Sequence, residues 1–139
     1  MRLVGYVRER PAIVEAEPAF AQWERIRRWA ADRGHTLVAV CQDDVSGDHA
    51  DPVAGLRAAL AILDAGTADI LVVASLEVIG DGVSGQEVVV WEVRRRGAEL
   101  ASTDPADTEA LETGGDDERR AARDVFARLD DHLRALEGP

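Results

Sequence analysis

The fold of this chain is decided by the short stretch from Ile70 to Ser75, which reads Ile-Leu-Val-Val-Ala-Ser. Every residue before the final serine is apolar, so both sides of such a strand need to be covered. Strands of this kind are typical of parallel sheets that carry helices on each face. The stretch therefore predicts a strand at the centre of a parallel sheet.

Apolar periodicity on either side of this strand predicts further strands and helices. Glycines just past helix ends, and prolines or aspartates at helix starts, place the boundaries. The predicted strands are Leu3–Val7, Thr36–Cys41, Ile70–Ser75 and Glu99–Ser102. The predicted helices run from Pro18 to Gly34, from Asp51 as N-cap with Pro52 following to Gly66, from Gly85 to Arg96, and from Asp116 to Leu136, with a loop over Thr103–Gly115.

This alternation predicts an α/β fold with three layers, α/β/α. We expect a mostly parallel sheet of four to five strands, helices on both faces and a C-terminal amphipathic helix. The 139 residues form one domain, 1–139, with enough chain to bury a core. Chemistry in such sheets lies at the carboxyl ends of the strands. This rule selects Tyr6–Arg10, Asp43–Asp51 and Leu76–Asp81 as the candidate site.

Charge and composition narrow the class of partner. The net charge is −11, and every cationic side chain apart from the three histidines is an arginine. A domain this acidic is repelled by a polyanion, so we do not expect DNA binding by this chain alone. A basic protein partner remains open. The single cysteine, Cys41, which we place in the core, indicates a reducing compartment, and no apolar run is long enough for a membrane span, which together predict a cytoplasmic protein.

The three strand-end segments share a pattern with a known family. Tyr6–Arg10 reads Tyr-Val-Arg-Glu-Arg, Asp43–Gly47 reads Asp-Asp-Val-Ser-Gly, and Leu76–Asp81 reads Leu-Glu-Val-Ile-Gly-Asp. These segments resemble Tyr-x-Arg-x-Ser, Asp-x-x-Ser-Gly and Leu-Asp-Arg-Leu-Gly-Arg of the serine recombinases, the resolvase/invertase family, in the same order along the chain. The resemblance implies the resolvase fold, and it implies DNA cleavage by a serine nucleophile assisted by arginines.

The resemblance breaks at the residues that carry this chemistry. It places Arg10 where the family has its nucleophilic serine, and a guanidinium stays protonated and cannot attack phosphorus. By the same resemblance, Val78 and Asp81 replace two phosphate-binding arginines, and a third is either replaced by Pro52 or deleted. Arg8 and Ser46 match the family's pattern, and Glu77 replaces its aspartate, which is a mild change.

We therefore expect no catalytic residues and no cofactor or metal. The sequence predicts an inactive recombinase-like domain acting as a binding or regulatory module. A protein partner or a homodimer through the C-terminal helix would use the apolar stripe of that helix, which is either an intramolecular seam or a dimer seam. The stripe consists of Ala122, Val125, Phe126, Leu129, Leu133 and Leu136. The alternatives are a pocket reused for an anion or nucleotide, and membership of a site-specific recombination system. Family members continue into a DNA-binding region, which we do not expect here because the sequence stops at Pro139.

Three local features have competing interpretations. Arg10 either holds an anion together with Arg8 or forms an ion pair with Glu9, Glu77 or Asp81; we favour the ion pair. The acidic segment from Asp43 to Asp51, with His49, suits a hard metal, but its spacing favours a solvated loop. The glycines of Gly80–Gly85 precede a helix as in a phosphate cradle, but the adjacent acid favours a flexible loop.

Overall fold

A parallel four-stranded sheet forms the centre of the molecule in the computed structural model, which describes residues 1–45 and 51–138. The strands are β1 (Arg2–Glu9), β2 (Thr36–Asp44), β3 (Ile70–Val73) and β4 (Glu99–Ser102). Their order across the sheet is β2-β1-β3-β4. All three pairings are parallel, which confirms the fold class expected from the continuous apolar strand.

The described residues form five α-helices around the sheet. They are α1 (Ala19–Asp32), α2 (Ala54–Asp64), α3 (Val83–Arg94), α4 (Thr108–Thr113) and α5 (Asp117–Glu137). Single 3-10 turns lie at Leu76–Val78 and Pro105–Asp107. No helix within the described ranges is both long and apolar enough to span a bilayer.

The two faces of the sheet bury separate cores because successive side chains of a strand point to opposite sides. On one face, Leu3 and Val7 of β1 pack with Ile26 of α1. On the other face, Val4 and Tyr6 belong to a larger cluster that includes residues of α2 and α3. The three layers that the sequence predicted are thus present, with α1 covering one face.

Several predicted boundaries were wrong. Helix α2 begins at Ala54, with Val53 as its N-cap residue, and not at Asp51 and Pro52. Strand β3 ends at Val73, so Ser75 lies outside it. The segment predicted as a loop over 103–115 contains α4, whose only apolar residues are Ala110 and Leu111, too few to show a helical periodicity.

A close backbone approach joins α2 to β2. A Cβ atom on Gly55 would lie 2.4 Å from the carbonyl oxygen of Gln42, a separation that real side chains do not reach. Only glycine allows the first turn of α2 to approach the end of β2 this closely. This approach places the first amides of α2 beside the buried side chain of Asp43.

Helix α5 is docked on α3 by charged groups, which we call the α3–α5 clamp: Glu87, Arg119 and Arg123. The Glu87 carboxylate is 1% exposed and accepts hydrogen bonds from Arg119 Nη1 at 2.9 Å and from Arg123 Nε at 2.7 Å. Arg119 is the one residue of α5 that is buried among the described residues. The ring of Phe126 stacks on Trp91 of α3, with ring centroids 5.4 Å apart.

The predicted apolar stripe of α5 is therefore mostly uncovered. Apart from Phe126, the stripe includes three exposed side chains: Val125 is 59% exposed, Leu129 39% and Leu136 70%. The stripe is thus an intramolecular contact at Phe126, which packs on Trp91 of α3, and is exposed at these three side chains.

Candidate functional site

The carboxyl end of β1 is held against α1 by a buried glutamine. The side-chain amide of Gln22 accepts a hydrogen bond from the Arg8 backbone N–H at 3.0 Å and donates one to the Arg8 carbonyl at 2.8 Å. It also donates to the carbonyl of Glu17. Gln22 thereby fixes the backbone of β1 two residues before Arg10. This role was not predicted, because a glutamine on a helix carries no local signal.

Arg10 forms the ion pair that the sequence analysis favoured, and its partner is Asp81. Arg10 Nη1 lies 3.4 Å from Asp81 Oδ1, and the side chain of Arg10 is 13% exposed whereas that of Asp81 is 78% exposed. Of the other predicted partners, Glu9 instead accepts a hydrogen bond from the backbone N–H of Ala19 at the start of α1. The position that the resemblance assigns to a nucleophile is thus occupied by a largely covered cation.

A polar cavity of about 200 Å³ opens beside Arg10, and we call it the strand-end cavity. Its charged lining residues are Arg10, Arg25, Glu15, Glu17, Glu77 and Asp104. Four carboxylates thus face two guanidinium groups, and Arg25 is already paired with Glu17 at 2.7 Å. The cavity is net acidic, which is the opposite of what a phosphodiester requires.

Two buried guanidinium nitrogens at the carboxyl end of β1 lack a partner among the described residues. The Nε atoms of Arg8 and Arg10 are both inaccessible to solvent and have no hydrogen-bond acceptor among the described residues. A buried donor left unpaired costs free energy, so an anion or a water molecule would be stabilised at either position.

The remaining predicted residues of the third segment separate. Val78 is 3% exposed and packs in the core, while its neighbour Glu77 is exposed at the rim of the strand-end cavity. Ser75, outside the strand, also lines this cavity. The structure therefore brings Arg10, Glu77 and Asp81 to one edge of the sheet, where Val78 contributes only a covered apolar surface to the wall of the cavity.

The prediction of a solvated loop is wrong for Asp43, which is buried and has a structural role. Its buried carboxylate accepts hydrogen bonds from the Tyr6 hydroxyl at 2.7 Å, the Gly55 N–H at 2.6 Å and the Leu56 N–H at 3.0 Å. It therefore caps the first turn of α2. Burial and the adjacent Asp43 carboxylate raise the pKa of Tyr6 above its ordinary value.

Several predicted residues of the second segment fall outside the described ranges. Ser46, Asp48 and His49 lie between residues 45 and 51. Within the described ranges, no group of three or more His, Cys, Asp or Glu side chains is arranged to hold a metal ion. Pro52 is described, and it is exposed ahead of α2.

The glycine-rich segment after β3 is tied to α3 and α5. The carbonyl of Gly80 accepts a hydrogen bond from Gln86 Nε2 at 2.9 Å, and Gln86 Oε1 accepts one from Arg119 Nη2 at 2.6 Å. A Cβ atom on Gly80 would lie 2.9 Å from the Gln86 backbone nitrogen. Gly80 is needed for this packing, so its presence does not by itself indicate a phosphate cradle.

Comparison with known proteins identifies relatives of this arrangement. The family model described as Resolvase, N terminal domain, matches residues 4–137. A comparison with curated proteins gave no match.

Three solved structures are similar along almost all of the chain. They are a resolvase family site-specific recombinase from Streptococcus pneumoniae (14% identity, TM-score 0.66, 99% of this chain and 95% of that one), the N-terminal catalytic domain of TP901-1 integrase (15%, 0.62, 99% and 99%) and the C-terminal catalytic domain of ISC1926 TnpA, an IS607-like serine recombinase (16%, 0.60, 94% and 99%). At these identities the likeness concerns the fold.

Proposed function

The chain belongs to the family of the resolvase N-terminal domain, and from that premise we propose that it is a member that has lost strand cleavage and acts as a binding or regulatory module. In this role the chain would bind a partner within a recombination system and would not cut DNA itself. The proposal also takes the protein to be cytoplasmic, in keeping with its single half-buried cysteine.

One observation carries the proposal: Arg10, at the position matched to the nucleophile, is largely covered and paired with Asp81. Covalent catalysis needs a hydroxyl or another group that can attack, which a protonated guanidinium is not. The family's second requirement is cationic groups around the transferring phosphate. Val78 is in the core and Asp81 is an acid, so neither supplies one. Losing a single such group typically costs about a hundred- to a thousandfold in rate.

Charge and the exposed stripe of α5 support a protein partner over DNA. The net charge of −11 opposes a polyanion and favours a basic protein surface. The exposed side chains Val125, Leu129 and Leu136 offer one apolar face for a second copy or another helix. A role within a recombination system, by pairing with an active recombinase, fits both features.

A second candidate function rests on the unpaired Nε atoms of Arg8 and Arg10. These buried donors favour a small anion at the carboxyl end of β1, in a pocket reused for binding. The acidic lining of the strand-end cavity opposes this alternative, so it takes second place.

The test is a cleavage assay on supercoiled DNA with the purified chain alone and mixed with an active serine recombinase. We expect this chain to form no protein–DNA adduct, either alone or with the active recombinase. In the mixture, we expect it to change the rate at which the active recombinase cleaves or synapses DNA. The Arg10→Ser variant serves as the control, and it is expected to stay inactive because Val78 and Asp81 remain. A covalent adduct of the unmodified chain would overturn the proposal.

A further inference from the structure

A groove runs along the outer edge of β4, away from the strand-end cavity, and we call it the β4 groove. It encloses about 460 Å³, within the range of binding pockets in proteins. One wall is formed by Trp29 of α1 and by Arg33, which directly follows this helix, and the other by Thr108 and Leu111 of α4. The edge of β4 lies between the two walls.

The backbone of β4 presents unpaired groups to this groove. The N–H groups of Glu99 and Thr103 donate to the carbonyls of Asp69 and Val73, at 3.2 and 2.9 Å, so these odd-numbered residues face β3. Successive residues of a strand direct their backbone groups to opposite sides. The N–H and C=O groups of Leu100 and Ser102 therefore point into the β4 groove, where no described residue bonds to them.

We propose that the β4 groove binds an extended segment of a partner protein, which adds a strand to the sheet along β4. An extended backbone supplies alternating donors and acceptors at the spacing that Leu100 and Ser102 require. Alternate side chains of the segment would point to the two walls, where they meet the indole of Trp29 and the side chain of Leu111. The groove also carries charged side chains around these apolar contacts, namely Arg33, Arg94, Glu99 and Glu112. The segment therefore combines apolar residues at its centre with polar residues at its ends.

The geometry favours a single segment over a second copy of the chain. Pairing two copies edge to edge through β4 would bring the α1 and α4 walls of each copy against those of the other. A narrow peptide enters between the walls without this collision. The proposed occupant is therefore a strand-forming segment that projects from its own protein.

The opposite edge of the sheet is less suited to strand addition. In β2, the register against β1 shifts at Val38, because Leu3 pairs with Leu37 and Val4 pairs with Ala39. Bulges of this kind are one way in which proteins protect an edge from further pairing. Strand β4 pairs with β3 in unbroken register and has no such protection.

The inference deepens the proposed role as a binding module and rests on it only in the choice of a protein as ligand. The β4 groove shares no residue with the strand-end cavity. Amide exchange in β4 tests strand addition, and the DNA cleavage assay tests whether the chain has lost strand cleavage. Because the two measurements are separate, either proposal can fail without the other.

The experiment measures amide hydrogen exchange by NMR on the full chain, titrated with the peptide acetyl-Thr-Val-Ile-Val-Thr-amide. We expect exchange of the Leu100 and Ser102 amides to slow at least tenfold at saturation. The same peptide with alternate backbone nitrogens methylated cannot pair, and it should leave both amides unchanged.

Two matched variants of α4 locate the binding surface. Thr108→Trp fills the β4 groove and should weaken peptide binding at least tenfold, whereas Thr113→Trp, on the same helix outside the groove, should leave it unchanged. Absence of slowing, protection at Gln42 of β2 instead, or an equal loss in both variants would overturn the proposal. Protection that grows with protein concentration without peptide would assign the groove to a second copy and overturn it as well.

Discussion

The hydroxyl of Tyr6 donates a 2.7 Å hydrogen bond to Asp43 Oδ2 inside the core, across the pairing of β1 with β2. The same carboxylate holds two amides of α2, so the bond joins two strands and a helix through one buried group. The two oxygens of the Asp43 carboxylate accept all three of these hydrogen bonds. The Tyr6–Asp43 pair therefore holds the carboxyl ends of β1 and β2 together and attaches both to the start of α2.

Tyr6→Phe should lower the free energy of unfolding by about 1–3 kcal/mol, because it leaves the Asp43 carboxylate with one donor fewer in a buried position. Denaturant unfolding at neutral pH measures the loss. An unchanged midpoint of unfolding would show that the hydroxyl contributes nothing to stability.

The fall in the free energy of unfolding at alkaline pH should also depend on Tyr6, the only tyrosine of the chain. Its pKa is raised in the folded state by burial and by Asp43, so folding favours the neutral phenol. The stabilisation is complete below the unfolded pKa of about 10 and is lost as pH rises above it. The free energy of unfolding should fall less steeply with pH in Tyr6→Phe, and parallel curves for the two proteins would contradict the assignment.

Gly55→Ala should destabilise the protein by about 1–3 kcal/mol, since the new methyl group would meet the Gln42 carbonyl at 2.4 Å and force the backbone apart. Gly82→Ala is the matched control, because a Cβ atom there meets nothing within 4 Å and its φ of −141° suits any residue. Thermal unfolding of both variants gives the comparison, and equal losses would show that the close approach is not required.

Glu87→Gln should cost about 3–5 kcal/mol, because it leaves the guanidinium groups of Arg119 and Arg123 partly buried without their counter-charge. The control is Asp130→Asn, whose exposed pair with Arg134 is expected to contribute about 1 kcal/mol or less. Denaturant midpoints report both, and a loss for Glu87→Gln no larger than that of the control would show that the clamp contributes little.

Asp81→Asn should strengthen any binding of inorganic phosphate at Arg10, because it removes the carboxylate that lies 3.4 Å from Nη1. Exposed ion pairs contribute about 0.2–1 kcal/mol, so the expected gain is up to about fivefold in affinity. Calorimetric titration of both proteins measures it. If neither protein binds phosphate, the second candidate function is excluded.

Much of the fold could be predicted because it depends on local patterns. Continuous apolar residues in β3 and glycines at helix ends identify a parallel sheet with its crossover helices. The cap of α2 could not be predicted in this way, because it is supplied by Asp43, twelve residues before Gly55, and not by the neighbouring Asp51. Asp51 instead accepts a bond from Val53, in the turn that precedes the helix.

The candidate site was predicted in part for the same reason. Strand ends converge by topology, so the proximity of Arg10 and Asp81 followed from the predicted parallel order. The inward turn of Val78 and the bridging of Gln22 depend on side-chain packing between distant segments. No spacing within a single segment encodes either.

The attachment of α5 near its first turns has a mechanical consequence. From Arg119 to Leu136 the helix rises about 26 Å, at 1.5 Å per residue, and its burial is concentrated at the end that carries the clamp. Its first half is held on α3 by the clamp and by the stacking of Phe126 on Trp91, so only the second half projects freely. A bend of about 10° at Phe126 would displace Leu136 by about 2–3 Å, estimated from a rise of about 1.5 Å per residue. A partner bound at Leu136 would therefore act on the domain through the contacts between α5 and α3, far from the carboxyl end of β1.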